Sequence, residues 1–249
     1  MNVMLTDLSN IVHLIRHAIF KKDDEFSQDV LIDSVINMIY TIGKKYHTDK
    51  YVIAADSRNV WRNDIYPDYK ANRKHTTDPY YSETINVMKE LENFFETCTN
   101  NMLVKVDRAE ADDVIAVCSR NMEFDNCVIL SGDKDFIQLI TDKVRLYSPN
   151  IKGERKSSNP DYDLFVKCIR GDAKDNVLSA YPRVRTTAIE KAYNDTTAFI
   201  NMMETVRKDG KVVKDCYDLN RNLVDLSRIP DYIKDAIIER INTNHRNYD

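Results

Sequence analysis

Carboxylates recur in this sequence where apolar runs stop. Leu5-Thr6 leads into Asp7, Ala54-Ala55 into Asp56, Val106-Asp107 towards Glu110-Ala111-Asp112-Asp113, and Leu130-Ser131-Gly132 into Asp133-Lys134-Asp135. Carboxylates brought side by side cannot all stay ionised without cations, because mutual repulsion drives protons onto them. Hard oxygen donors at such density suit Mg²⁺ or Mn²⁺. Singly, each acid has an ordinary explanation. Asp7 and Asp56 fit loop carboxylates, and Asp112, Asp113, Asp133 and Asp135 fit helix N-termini, where a carboxylate gains roughly 0.3–1 kcal/mol. Four such coincidences at successive strand ends are less expected than one. Helix spacing adds a conflict: Glu110 and Asp113 share a face of a regular helix, whereas Glu110 and Asp112 do not. The conflict weakens if Glu110 precedes the helix.

Two further stretches carry charge chemistry. From Arg58 to Lys74 five Arg or Lys stand against two Asp, with Trp61, Tyr66 and Tyr69 interleaved. Cations that hold phosphates beside rings that stack on bases make a single-strand platform. An exposed basic loop with its aromatics packed below has the same composition. Later, Gly171-Asp172-Ala173-Lys174-Asp175-Asn176 supplies two more acids after an amphipathic helix, in residues that are also ordinary turn formers. Arg183-Val184-Arg185-Thr186-Thr187 then offers guanidiniums, hydroxyls and helix-opening N–H groups to phosphates.

Strands alternating with helices would bring these acids together. β-type runs occupy Val3–Leu5, Tyr51–Ala55, Asn126–Leu130 and Val144–Tyr147, with a weaker one at Met102–Val106. Between them, Leu31, Val35, Met38, Ile39 and Ile42 mark one helical face and Ile85, Met88, Leu91 and Phe95 another. The pattern predicts an α/β fold with a mostly parallel sheet covered on both sides. Ligands of such sheets bind outside the carboxyl ends of the strands, where the acids fall. After about Pro149 the strand signal stops. Helical segments follow near Tyr162–Arg170, Thr187–Tyr193 and Ala198–Arg207, and then at Asp231–Ile241 behind Pro230. The Lys, Gly, Ser, Asn and Pro of Ile151–Pro160 mark a boundary.

Composition narrows the classes. Of 249 residues, 43% are hydrophobic and 31% charged, which permits a buried core and excludes wholesale disorder. With 5 Gly and neither GxGxxG nor GxxxxGK[ST], dinucleotide oxidoreductases and P-loop NTPases are not expected. The 5 Cys are odd in number and widely spaced, so they read as reduced core residues, and the 5 His show no zinc-enzyme spacing. No apolar run approaches the ~20 residues of a membrane span. The N-terminus is broken by Asp7, His13 and Arg16 and does not read as a signal peptide.

In their order along the chain, these motifs resemble the 5′-nuclease superfamily: flap endonucleases, the 5′–3′ exonuclease domains of bacterial DNA polymerase I and phage 5′ exonucleases. The resemblance rests on Asp7, Asp56, the Trp61–Arg73 run, Glu110-Ala111-Asp112-Asp113, Ser131-Gly132-Asp133-Lys134-Asp135-Phe136 and Gly171–Asn176. Asn220-Arg221-Asn222-Leu223-Val224-Asp225-Leu226 with Ile229-Pro230 is similar to the phage ribonucleases H within it. The resemblance implies a PIN-like nuclease core over residues 1–155, with an arch region at about 58–90. It implies a helical part over 156–249 carrying a helix–three-turn–helix DNA-binding element. It also implies divalent-metal hydrolysis of phosphodiesters with two Mg²⁺ or Mn²⁺ ions. The enzyme would be a 5′–3′ exonuclease or ribonuclease H removing RNA primers and adjacent DNA in phage-type replication, with flap endonuclease activity as the alternative main role.

Position by position, Asp7, Asp56, Glu110, Asp112 and Asp133 look like the first metal site. Asp135, Asp172 and Asp175 look like the second, and Asp113 like a ligand or the support of one. Lys70 and Arg73 match the arch cations over the scissile phosphate, and Tyr69 a base-stacking position. Arg58, Arg62, Arg183, Arg185 and Thr186 are the remaining candidates for nucleic-acid contact. The expected partners are RNA·DNA hybrid and duplex DNA with a 5′ end or flap, met by a monomer with no membrane, in the cytoplasm (of the host cell, if viral). The chain starts almost at its first strand and ends soon after Ile241. Replisome contacts through terminal extensions, to a single-stranded DNA-binding protein or sliding clamp, are therefore not expected. One departure stands out: the family's Gly-x-Gly turn is replaced by Pro182-Arg183-Val184-Arg185, so side chains would take over the grip on phosphate.

Without the nine candidate acids the formal charge of −4 becomes +5, so the acidic total does not oppose a nucleic-acid partner. Two other readings remain. A HAD-type phosphohydrolase would use Asp133 and Asp135, but Ile137 stands where its motif expects Thr or Val, and the Trp61–Arg73 run stays unexplained. A non-catalytic DNA-structure binder would not need every ligand intact.

Overall fold

The computed structural model describes residues 1–21, 25–75 and 78–246. Along the chain the elements are β1 (Asn2–Asp7), α1 (Leu8–Ile19), α2 (Gln28–Lys45), β2 (Lys50–Ala54), α3 (Arg62–Ile65), α4 (Tyr81–Thr97), β3 (Met102–Val104), α5 (Ala111–Asn121), β4 (Asn126–Leu130), β5 (Val144–Ser148), β6 (Gly153–Arg155), α6 (Pro160–Arg170), α7 (Thr186–Asn194), α8 (Thr196–Met203), α9 (Val213–Val224) and α10 (Asp231–Arg246). They divide into two units. One holds Met1–Val60, Thr76–Lys156 and Pro230–Asp249, the other Trp61–His75 and Ser157–Ile229. Thr76 and Thr77, inside the expected arch stretch, lie outside the described residues.

The first unit is built on one sheet in the order β3-β2-β1-β4-β5-β6. Neighbours are parallel except β6, which runs antiparallel to β5. The expected α/β class with a mostly parallel sheet is what the structure shows. Central strands buried on both faces read as continuous apolar runs, as Val3-Met4-Leu5 and Val52-Ile53-Ala54 do. On one face Met4, Ile53 and Val128 pack with Leu8, Ile11, Leu31, Val35, Ile39, Val87, Leu91 and Phe95 of α1, α2 and α4. α5 packs on β1 and β2, and α10 on α5 and β3. Each buried leucine-sized side chain in these layers contributes about 1.5–3 kcal/mol.

The second unit is helical. Phe165 and Ile169 of α6, Ile189 of α7, Met202 and Met203 of α8, and Val213 and Tyr217 of α9 form its core. α6 opens with Pro160 at its first position behind Asn159, whose side chain accepts from the Tyr162 N–H. The turns from Gly171 to Arg185 join α6 to α7.

All five cysteines are free. Cys118, Cys127 and Cys168 are buried, Cys216 is half-buried and Cys98 is exposed. Burial pushes the Cys127 and Cys168 thiols up to about 12, so neither is a ready nucleophile. Among the described residues no helix is long and apolar enough to cross a membrane.

Candidate active site

At the carboxyl edge of the sheet, β1 ends in Asp7, which is also the N-cap of α1: its Oδ1 accepts from the Asn10 N–H at 3.2 Å. The β1–β4 register sets Thr6 beside Leu130, so the next residues, Asp7 and Ser131, meet. The Ser131 hydroxyl donates to Asp7 Oδ2 at 2.9 Å and accepts from the Asp133 N–H at 3.1 Å. On the other side β2 ends opposite Asp7, and Asp56 follows two residues later. Asp56 Oδ1 accepts from the Ala111 N–H at 2.9 Å, at the start of α5, and its Oδ2 from the Ser9 hydroxyl at 2.5 Å. The Gly132 N–H donates to Asn10 Oδ1 at 2.8 Å. Successive residues of the first turn of α1 thus hold both neighbouring loops.

Glu110 is the N-cap of α5, outside the helix proper, which weakens the spacing conflict with Asp112. Asp113 is fully buried, and its Oδ2 accepts from the Glu110 N–H at 3.0 Å, closing a capping box. Of the two roles open to Asp113, this contact supports the fixing of Glu110. Asp133 Oδ1 accepts from the Asp135 N–H at 2.9 Å, so these two acids share one tight turn.

Burial pushes the Asp7 carboxyl up to about 7, with the charge of Asp56 and, more weakly, that of Asp133 adding to it. The hydrogen bonds from Asn10 and Ser131 pull the other way. A buried carboxyl next to two others is short of positive charge, and its donors are all hard oxygens. That chemistry fits a divalent cation. Among the described residues no three side chains already close to ion-holding spacing.

In the second unit the basic run is stitched to the Gly171–Asn176 turn. The Lys70 N–H donates to the Asp175 carbonyl at 2.9 Å, the Lys70 ammonium lies 4.0 Å from the Asp175 carboxylate, and Arg73 pairs with the same carboxylate. Asn72 donates to the Ala173 carbonyl and Asn176 to the Asp68 carbonyl, both at 2.8 Å. Asp172 pairs with Lys167 at 2.8 Å; despite burial, that cation holds its carboxyl below the usual range. Gly171 takes φ +74°, and a Cβ there would stand 2.3 Å from the Val177 carbonyl oxygen. Only glycine fits.

Three expectations about this run are corrected by burial. Trp61, Arg62 and Tyr69 are 2%, 2% and 6% exposed. The Arg62 guanidinium lies 4.5 Å from the Trp61 ring centroid and 6.0 Å from that of Tyr69, and its Nε donates to the Leu223 carbonyl at 2.9 Å. Arg62 is an internal strut and not a phosphate contact, and Tyr69 offers no open face to a base. Arg58, Arg183 and Arg185 are exposed, whereas the exposed Thr186 accepts from Arg170 at 2.7 Å. Arg183 has φ +61°, a backbone conformation usual for glycine, at the turn where the family has Gly-x-Gly. Sequence reasoning did not find Ser9, Asn10 or the role of Ser131. A Ser-Asn pair directly behind a strand-ending Asp is the N-cap pattern that points to them.

Strand-end carboxylates on a parallel sheet, with a basic segment tied to a helical unit, describe a class of phosphodiesterases that act on nucleic acids. Residues 2–164 match the family model of the 5′–3′ exonuclease N-terminal resolvase-like domain, and the chain belongs to that family of phosphodiester hydrolases. It is 27% identical over 269 residues to ribonuclease H of Enterobacteria phage T4, covering 97% of this chain and 86% of that protein. It is 26% identical over 266 residues to the flap endonuclease of Escherichia phage T5, covering 95% and 86%. Matches to DNA polymerase I cover only 20% of those longer proteins. In fold, the T5 D15 protein co-crystallised with metal ions superposes with a TM-score of 0.74 at 21% identity, covering 99% of this chain and 98% of that one. Family membership sets aside the HAD-type reading.

Proposed function

We propose that this protein is a divalent-metal-dependent 5′–3′ exonuclease with ribonuclease H activity, removing RNA and adjacent DNA from 5′ ends. The observation that carries the metal dependence is the buried Asp7 carboxyl beside Asp56 and Asp133. Support for the substrate class comes from the phage T4 relative, named a ribonuclease H, and the phage T5 relative, named a flap endonuclease. Cleavage of 5′ flaps is the second reading, favoured by the latter.

Asp7, Asp56, Glu110, Asp112 and Asp133 would hold one Mg²⁺ or Mn²⁺ ion. Motif order supports Asp135, Asp172 and Asp175 as ligands of a second. Bound cations would supply an activated water and charge to stabilise the leaving 3′ oxygen. The chain's own residues do the rest. Ser131, Ser9 and the α5 N-terminus orient the carboxylates of Asp7 and Asp56 by donating to them, and the Ser131 bond favours the ionised form of Asp7. Lys70 and Arg73, held by Asp175 until phosphate arrives, then counter charge on the phosphoryl oxygens. Arg183 and Arg185 anchor the duplex backbone.

The test is to incubate 5′-labelled RNA·DNA hybrid, 5′ flap and blunt duplex with Mg²⁺ and size the products. Short 5′-phosphorylated fragments from the hybrid support the exonuclease reading, and a single product cut at the junction supports the flap reading. No product from any substrate rejects both.

A further inference from the structure

The first unit has a second site of recognisable chemistry, at the edge of the sheet where β1 and β4 begin. A cleft of about 650 Å³ lies there. Val3, Cys127 and Val128 contribute apolar lining, and Tyr46 a half-buried ring. Three cations face this space: Lys45 at the end of α2, Arg145 on β5 and Lys156 just beyond β6. Among the described residues one carboxylate lines the cleft, and it is already engaged. Glu154 Oε1 accepts from the Tyr46 hydroxyl at 2.8 Å and lies 3.7 Å from Arg145. The Lys45 ammonium lies 4.8 Å from the Tyr147 ring centroid and 5.5 Å from that of Tyr46. Lys156 is exposed and makes no ion pair among the described residues.

We propose that this cleft binds a nucleoside phosphate. Its volume lies within the ~300–1,000 Å³ of small-ligand sites, and its mostly polar, cation-bearing lining suits a ligand that carries phosphate. Arg145 has the planar fork that meets phosphate oxygens in pairs, and Lys45 and Lys156 add point charges. The Tyr46 ring, pinned through its hydroxyl by Glu154, gives a base or sugar a fixed wall. Asn2 lines the cleft and Asp7 ends the same strand, five residues on, or roughly 16 Å at the rise of an extended chain. A ligand here would therefore not touch the acids, and the proposal does not rest on the nuclease reading.

The experiment is calorimetric titration of ADP, inorganic phosphate and adenosine into the full chain in EDTA, so that no cation occupies the acids. One saturable ADP site is expected, with weaker phosphate binding and no adenosine binding. Lys45→Ala with Lys156→Ala should weaken ADP by about tenfold or more, with an unchanged thermal melt. If that pair melts early, exposed Lys156→Ala alone should still weaken it several-fold. The proposal is overturned by equal binding of adenosine, by no ADP binding, by affinity lost in Lys70→Ala in place of Lys156→Ala, or by a 5′-phosphorylated oligonucleotide that displaces ADP when free mononucleotides do not.

Discussion

Ser131 donates its hydroxyl to the buried carboxylate of Asp7 at 2.9 Å while accepting from the backbone N–H of Asp133 at 3.1 Å. One side chain therefore sets the distance between two strand ends and helps keep Asp7 ionised. Removing it leaves a buried acceptor short of a donor, a cost of about 1–3 kcal/mol. Ser131→Ala should raise the Asp7 pKa further in the cation-free protein, seen as a carboxyl titration moved to higher pH in EDTA. A titration that stays in place would remove Ser131 from the support of Asp7.

Asp7 also makes the stability of the cation-free protein depend on pH. Its carboxyl ionises near 3.8 in the unfolded chain and at about 7 in the fold, so between those values the folded state binds the extra proton. Stability then falls as pH rises from about 4 to about 7 and levels off above. Asp7→Asn keeps an N-cap residue, and should flatten this slope and raise the melting temperature in EDTA at neutral pH while cleavage is lost. Melting curves across pH for both proteins check the sign.

Asp56→Asn and Asp133→Asn should leave folding intact, since amides fill the same space and can still accept a hydrogen bond. Cleavage in Mg²⁺ should drop by at least roughly 10²–10³-fold, the scale for removing one charge-stabilising group. Wild-type turnover by either variant would remove that residue from the metal site.

Lys70 and Arg62 stand close in sequence and should separate cleanly in function. Lys70→Ala should reduce single-turnover cleavage more than duplex affinity, and equal losses would make Lys70 a phosphate anchor only. Arg62→Ala empties a buried site and should cost about 2–5 kcal/mol in denaturant unfolding. The folded fraction should bind duplex as the wild type does.

Arg183 holds a glycine-type backbone, which costs a non-glycine residue roughly 1–2 kcal/mol. Arg183→Gly should therefore stabilise the chain by up to about that amount, yet weaken duplex binding and reduce the salt dependence by about one phosphate contact. Equal affinity at low salt would place Arg183 off the interface.

The parallel strands were legible because both their faces are buried, which writes an apolar run for each. Gly153–Arg155 was not: three residues without alternation carry no strand signal, and only the pairing Leu146–Arg155 with β5 reveals it. The helix Val213–Val224 starts without a side-chain cap, and its buried face includes Asn220, which donates to the Cys168 and Leu178 carbonyls. Its polar side chain hid the stripe. Arg16 likewise read as an interruption, yet it is buried and paired with Asp78. The acids were readable through their place behind strands, whereas the hydroxyl and amide groups that aim them are too common to stand out. Trp61, Arg62 and Tyr69 show the opposite failure: a buried cation–aromatic stack and a nucleic-acid platform have one composition.

The opening turn of α1 carries Asp7, Ser9 and Asn10, which reach Ser131, Asp56 and Gly132 in turn. Transplanting the aspartates alone onto another open sheet would move the ligands and leave their alignment behind. A graft would have to carry this short corner whole, and a single rotation of it would misalign every arm together.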